Sequence, residues 1–231
     1  MPKFLRRGAE AQSALAKADA QTELKQAQSA SGNLRFWLPK NKDTSITFLD
    51  GSLGENGMLD VPMFYEHQME LNGHWRNWFL CTQDNEPCPL CEQGDTPSLV
   101  AVFSIIDHTQ FTDREGKVRK DEPRLYVVKR ETFRLLQNKA TKKGGLKGWT
   151  VDVSRIGEKA ANVGNDFDFV KHTDTLGVKP FNYEEIFVYL DATKLRELGF
   201  GTQGYQPPTP TMTPQGLQSQ KVDMDQLNQE L

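Results

Sequence analysis

The sequence predicts a mainly β protein with a few helices, built around a small metal knuckle and flanked by polar ends. Three observations predict it. Short aromatic and apolar runs, split by turn residues, recur from residue 34 to residue 170. All three cysteines of the 231-residue chain fall within "CTQDNEPCPLC" (81–91). The two ends hold few large apolar residues, and the mean hydropathy of −0.62 is low for a chain folded throughout.

The elements follow in order. Residues 5–29 are rich in Ala, Gln, Lys and Glu and lack a core-facing stripe, so they read as a solvated helix or a disordered arm. "LRFWLP" (34–39), "SITFLD" (45–50), "PMFYEHQMEL" (62–71) and "HWRNWFLC" (74–81) read as strands. Asn72-Gly73 joins the last two, and both residues tolerate the positive φ of a two-residue hairpin. "PSLVAVFSIID" (97–107) and "PRLYVVKR" (123–130) are two more strands, with a polar loop between them. Thr132 is placed to cap a helix running to about Lys143, where Gly144-Gly145 stops it. "GWTVDVSR" (148–155) and "DFDFV" (166–170) read as strands, and Asp191 as the cap of a short helix ending at Gly199. From Gly201 onward Gly, Pro, Thr and Gln predict a disordered tail. The expected organisation is an arm (1–32), a folded core (33–200) with the knuckle at about 64–95, and a weakly acidic tail (201–231).

Cys88-Pro-Leu-Cys91 is a CxxC turn that points two thiolates at one ion. Cys81 offers a third. Clustering of this kind suits a metal better than a disulfide framework. A closed four-coordinate site then needs one histidine from His67, His74, His108 and His172. His74 shares an extended strand with Cys81 and lies roughly 24 Å from it. His67, on the partner strand, is only three positions from the level of Cys81. Strict alternation would put His67 and Cys81 on opposite faces, so the reading requires a bulge within 75–80. His67 is favoured; His108 stays open. Four filled positions leave no place for water or substrate, which makes the expected zinc structural. The chain has no P-loop, GxGxxG, GxSxG or HExxH, so no enzyme is expected.

Charge is unevenly spread. The chain carries a net −3, yet residues 113–147 hold twelve Lys/Arg against five acids. A basic middle in an acidic chain fits a polyanion partner. Aromatics are interleaved with bases in "LRFWLPK" (Arg35, Trp37, Lys40), in "HWRNWF" (Trp75, Arg76, Trp78) and in "RLYVVKR" (Arg124, Tyr126, Lys129, Arg130). Arg114, Lys117, Arg119 and Lys120 extend the basic set. Rings stack bases and cations neutralise phosphates, which holds a single strand without reading its sequence. A small β unit of this composition fits an OB-fold barrel.

The segments "ITFLDG" (46–51), His67 followed by "NGHW" (72–75), Cys81, "CPLC" (88–91), "SLV" (98–100), "REGKV" (114–118) and "LYVVKRETFRLLQNKA" (125–140) together resemble bacteriophage single-stranded DNA-binding proteins of the helix-destabilising, T-even type. The resemblance covers roughly residues 33–170. It implies an OB-fold with a zinc subdomain ligated by His67, Cys81, Cys88 and Cys91. It implies a protein that coats single-stranded DNA in phage replication, recombination and repair, in the cytoplasm of an infected bacterial host. It also implies self-association through a basic arm, and polymerase or helicase contacts through an acidic tail. The arm "KFLRRG" is similar in character alone, the tail is short of acids, and residues 171–200 match nothing in the family. The competing reading is a zinc-ribbon module that binds protein or duplex DNA.

Overall fold

The computed structural model describes residues 8–10, 12–15, 18–19, 34–38, 40, 42–71, 74–112, 116–158, 160–174 and 177–201, with the side chains of 71 and 74–76 excepted. The expected tail, and most of the expected arm, lie outside the described residues.

The chain is mainly β. Its strands are β1 (Thr44–Phe48), β2 (Met63–Leu71), β3 (His74–Leu80), β4 (Ser98–Asp107), β5 (Phe111–Thr112), β6 (Val118–Arg119), β7 (Glu122–Lys129), β8 (Trp149–Ser154) and β9 (Asp166–His172). Residues 9–10, 12–15 and 18–19 are helical, and the helices further along the chain are α1 (Pro89–Glu92), α2 (Arg130–Lys143), α3 (Tyr183–Ile186) and α4 (Ala192–Glu197). Seven strands form one antiparallel sheet, and β5 and β6 form a separate ribbon inside the expected polar loop.

β4 organises the sheet. One edge pairs with β7 over its length, from Val100↔Lys129 to Asp107↔Glu122. The other edge forks: β2 takes the first half (Met63↔Ala101) and β1 the second (Phe48↔Ile105). The β2–β3 hairpin therefore leaves the sheet on one side, while β1 leads on to β8 and β9. No ladder joins β7 to β9 among the described residues, so the sheet is not closed into a barrel. Residues 34–38 lie across that gap instead of forming the expected strand. Phe36 N–H donates to Leu125 C=O at 2.8 Å on one side, and Leu38 N–H to Asn162 C=O at 2.7 Å on the other.

The main core fills the curve of this sheet. Phe48, Phe103 and Tyr126 meet edge-on or tilted, with ring centroids 5.5–6.4 Å apart, and Phe36 packs on Tyr126 at 5.5 Å. Helix α2 adds Phe133, Leu136 and Ala140 to the same cluster. It ends where Gly144 turns left-handed at φ 76, as its glycine pair predicts. Its start differs from expectation. Lys129 occupies the N-cap without a side-chain cap, and Thr132 is buried inside the first turn. The strand runs straight into the helix, so Thr132 falls inside the first turn and past the capping position. Asp191 does cap α4, accepting from Lys194 N–H at 2.8 Å.

β4 is buried on both faces from Val100 to Ile105, unusual for an antiparallel strand. The cause is the segment after β9. Phe181 N–H donates to Ser104 Oγ at 3.0 Å, and Tyr183 Oη lies 2.7 Å from the same oxygen. Residues 181–187 thus cover the outer face of β4.

Candidate metal centre and nucleic-acid face

The knuckle begins in the β2–β3 register. The pairs run Leu71↔His74, then Met69↔Asn77. β3 advances three residues where β2 advances two, so an extra residue sits at 75–76, inside the range where a bulge is required. Beyond it His67 pairs with Phe79, and Cys81 N–H donates to Tyr65 C=O at 2.8 Å. Opposed residues share a face, so His67 and Cys81 look the same way.

The single turn of α1 brings back the other two sulfurs. Cys88 precedes Pro89, whose fixed φ suits a first helical position, and Cys91 follows one turn on. The resulting group is tight. His67 Nε2 lies 3.5 Å from Cys88 Sγ and 3.6 Å from Cys91 Sγ, and Cys81 Sγ lies 3.6 Å from Cys91 Sγ. All four ligand atoms fall within 4.8 Å of one another, so the group can hold one metal ion. His67 is fully buried, and its Nδ1–H donates to Asp95 Oδ2 at 2.5 Å. That carboxylate fixes the tautomer and leaves Nε2 free to ligate. His108 is committed elsewhere, to Thr47 Oγ1 at 2.7 Å and Asp121 Oδ1 at 2.5 Å.

The three thiols do not titrate alike. Burial pushes Cys88 up, but N–H groups of Cys91, Thr82 and Leu90 and the Thr82 hydroxyl outweigh it, and the net value falls to about 6. Burial and the neighbouring sulfurs Cys81 and Cys88 push Cys91 up to about 12. A cation among the sulfurs would relieve that repulsion and favour all three thiolates.

A second apolar cluster supports the knuckle. Met69, Phe79, Cys88 and Leu90 pack with Leu190, Leu195 and Phe200, and Phe79 meets Phe200 edge-on at 5.1 Å. Glu86 accepts from Tyr189 Oη and from Ala192 N–H, Arg196 pairs with Glu92 at 2.9 Å, and Gly201 N–H donates to Gln93 Oε1. Sequence reasoning missed this role for 190–201. Its trace was the apolar spacing of Leu195 and Leu198 behind the Asp191 cap.

The candidate nucleic-acid residues divide. A cleft of about 560 Å³ opens between the β2–β3 unit and the start of α2. Arg35, Trp37, Trp78 and Lys129 line it, together with Glu66 and Glu131. Trp37 is 39% exposed, and its ring lies 5.9 Å from that of Trp78, which is itself buried at 9% exposure. The Arg35 guanidinium sits 4.1 Å from the Trp78 centroid and forks onto Glu66 at 3.1 and 2.6 Å. Arg35 is therefore a buried, neutralised cation, although its Nε has no protein partner. Lys40, Lys117, Arg119 and Lys120 are exposed. Arg119 pairs with Glu122 at 3.6 Å, Arg130 with Glu131 at 3.1 Å, and Arg124 lies 5.7 Å from the Phe111 centroid. The side chains of Trp75 and Arg76, and all of Arg114, lie outside the described residues.

Tyr126 must be withdrawn as a stacking candidate. It is fully buried, and its hydroxyl donates to Val163 C=O at 2.6 Å. Its position between Arg124 and Lys129 in sequence says nothing of face, because strand neighbours alternate.

No protein-family model, curated protein or solved structure matches the chain.

Proposed function

We propose that this protein binds single-stranded DNA without sequence preference, with the Trp37–Trp78 cleft as its stacking site and a structural zinc holding one wall. The cleft carries the proposal. Trp37 offers a base-sized face at the mouth of an open groove, the buried Trp78 backs it, Lys129 stands at the rim, and the basic run of 113–147 adjoins it. Coating of phage DNA in replication, recombination and repair, as the motif resemblance implies, belongs to this reading.

The strand connections support an OB-type core. β1, β4, β7, α2, β8 and β9 follow the order strand–strand–strand–helix–strand–strand, with β1 pairing both β4 and β8. Residues 34–38 lie where that fold would pair its third and fifth strands. Zinc is supported by distance. Tetrahedral zinc with Zn–S of about 2.3 Å and Zn–N of about 2.0 Å has S···S edges near ~3.8 Å and N···S edges near ~3.5 Å. Three of the six spacings, at 3.5–3.6 Å, lie close to those edges, and all six fall within 4.8 Å. Three sulfurs and an imidazole also suit zinc better than an oxygen-seeking cation.

The test is a tryptophan-fluorescence titration with oligo-dT and with duplex DNA at low and high salt. Quenching by oligo-dT, weakened steeply by salt and absent with duplex, is expected. No response to either polymer contradicts single-strand binding and favours a protein-interaction module.

A further inference from the structure

The fourth tryptophan, Trp149, is not among the stacking candidates, yet it stands in an aromatic frame. Its ring meets Phe169 at 5.4 Å and His172 at 5.1 Å, both near perpendicular. The Lys143 ammonium covers the indole, 4.7 Å from its centroid and 5.6 Å from that of Phe169. Lys143 is exposed at the last residue of α2, and Trp149 is half-buried. A flexible, exposed side chain therefore covers a half-buried ring whose other contacts are with the main core.

The frame is held rigidly. Gly148 has φ +83, and a Cβ there would stand 2.5 Å from Thr173 O and 3.0 Å from His172 Nε2. Gly148 N–H donates to Phe48 C=O and Thr173 N–H to Gly148 C=O, each at 2.9 Å. His172 Nε2–H donates to Lys147 C=O at 3.1 Å. Three rings are fixed before any ligand arrives, so stacking on them would cost little ordering entropy.

Helix α2 links this frame to the cleft. Thr132 and Leu135 line the cleft. Steps of three and four residues carry the same flank of the helix to Lys139 and then Lys143. Lys139 Nζ donates to Phe167 C=O at 3.4 Å, so this flank lies along β9. Glu131 is the one acid in α2, against Arg130, Arg134, Lys139, Lys142 and Lys143.

We propose that Trp149 is a second base-stacking subsite for the same strand, with the phosphate backbone running from the Trp37–Trp78 cleft along the Leu135–Lys139–Lys143 flank. This rests on the single-strand reading. On binding, Lys143 leaves the indole for a phosphate and a base takes its place, exchanging a cation–π contact for stacking plus an ion pair.

The test uses the full chain and two lengths of oligo-dT. Ultraviolet crosslinking to an oligomer of about 12 nucleotides, mapped by mass spectrometry, should mark the peptide that holds Trp149. Lys143→Gln, a surface change that spares the fold, should weaken that oligomer about fivefold and lower the salt slope by about one. An oligomer of about 4 nucleotides, which fills the cleft alone, should not notice the substitution. Binding of both lengths by the wild type with no crosslink at Trp149 overturns the subsite and leaves the cleft standing. Weakening by Lys143→Gln without that crosslink also overturns it, since the lysine is then a plain surface charge. A wild type that binds neither length overturns both readings.

Discussion

Asp50 shows how a residue's place changes its chemistry. It sits just beyond β1, accepting from Ser104 N–H at 3.1–3.2 Å and from the Tyr183 hydroxyl. Burial raises its pKa from 3.8 to about 6, although both donors oppose the rise. The folded state thus holds the proton more tightly than the unfolded chain. The stability from this group is complete below pH 3.8 and is lost as pH rises through about 6, on the order of 3 kcal/mol at most. Asp50→Asn should abolish that loss. Urea melts of both proteins at pH 4, 5, 6 and 7 should show the mutant gaining on the wild type as pH rises; a constant gap would refute the assignment. In the sequence Asp50 is one acid of a turn, because nothing local tells that residues 181–187 will close over it. The metal ligands were far more legible. Their chemistry is carried by residue type and short spacing, and a two-residue hairpin confines His67 to within a few positions of Cys81 on the partner strand. Asp95 was not legible, since its value lies in contact with an imidazole 28 positions away.

At the scale of elements, β8 and β9 place Asp152 directly opposite Asp168. Asp43, Asp166 and these two line one shallow depression. Like charges on facing strands repel, by roughly 0.2–1 kcal/mol per pair. Asp168→Lys should therefore raise stability by about that amount at low salt, and the gain should shrink as salt is added. Thermal unfolding with and without salt decides it: an unchanged or lower melting temperature at low salt would show that the pair is screened already. Strand positions and the end of α2 were legible because alternation, β-branched content and a glycine pair act locally. The N-terminus of α2 was not, because β7 feeds it without a break and no capping side chain is needed. Residues 34–38 have strand composition but pair through single bonds at two places, to Leu125 on one side and Asn162 on the other.

For the whole molecule, the segment after β9 ties two parts together. Residues 181–187 lie on β4, and residues 190–201 wall the knuckle through Leu190, Leu195 and Phe200. The knuckle is short of core on its own, so this wall should steady its ligands. A chain ending at Tyr189, loaded with the zinc proposed above, is expected to keep its β circular dichroism yet lose that ion to a chelator about tenfold faster or more. Equal release rates in the two chains would mean that the ligands alone hold the site.

By itself the sequence determined the mainly β class, three candidate thiolate ligands with His67 favoured as the fourth, the need for a bulge, and the clustering of bases in its middle. These depend on residue type and on separations of a few positions, which backbone geometry converts directly into distance. Tertiary structure alone decided which rings face solvent. Tyr126 and Trp149 both begin as aromatic residues near lysines; one became core because β7 turns it inward, the other stayed half-buried at the core's edge beneath Lys143. Burial depends on which distant segments arrive, and no local pattern records their arrival.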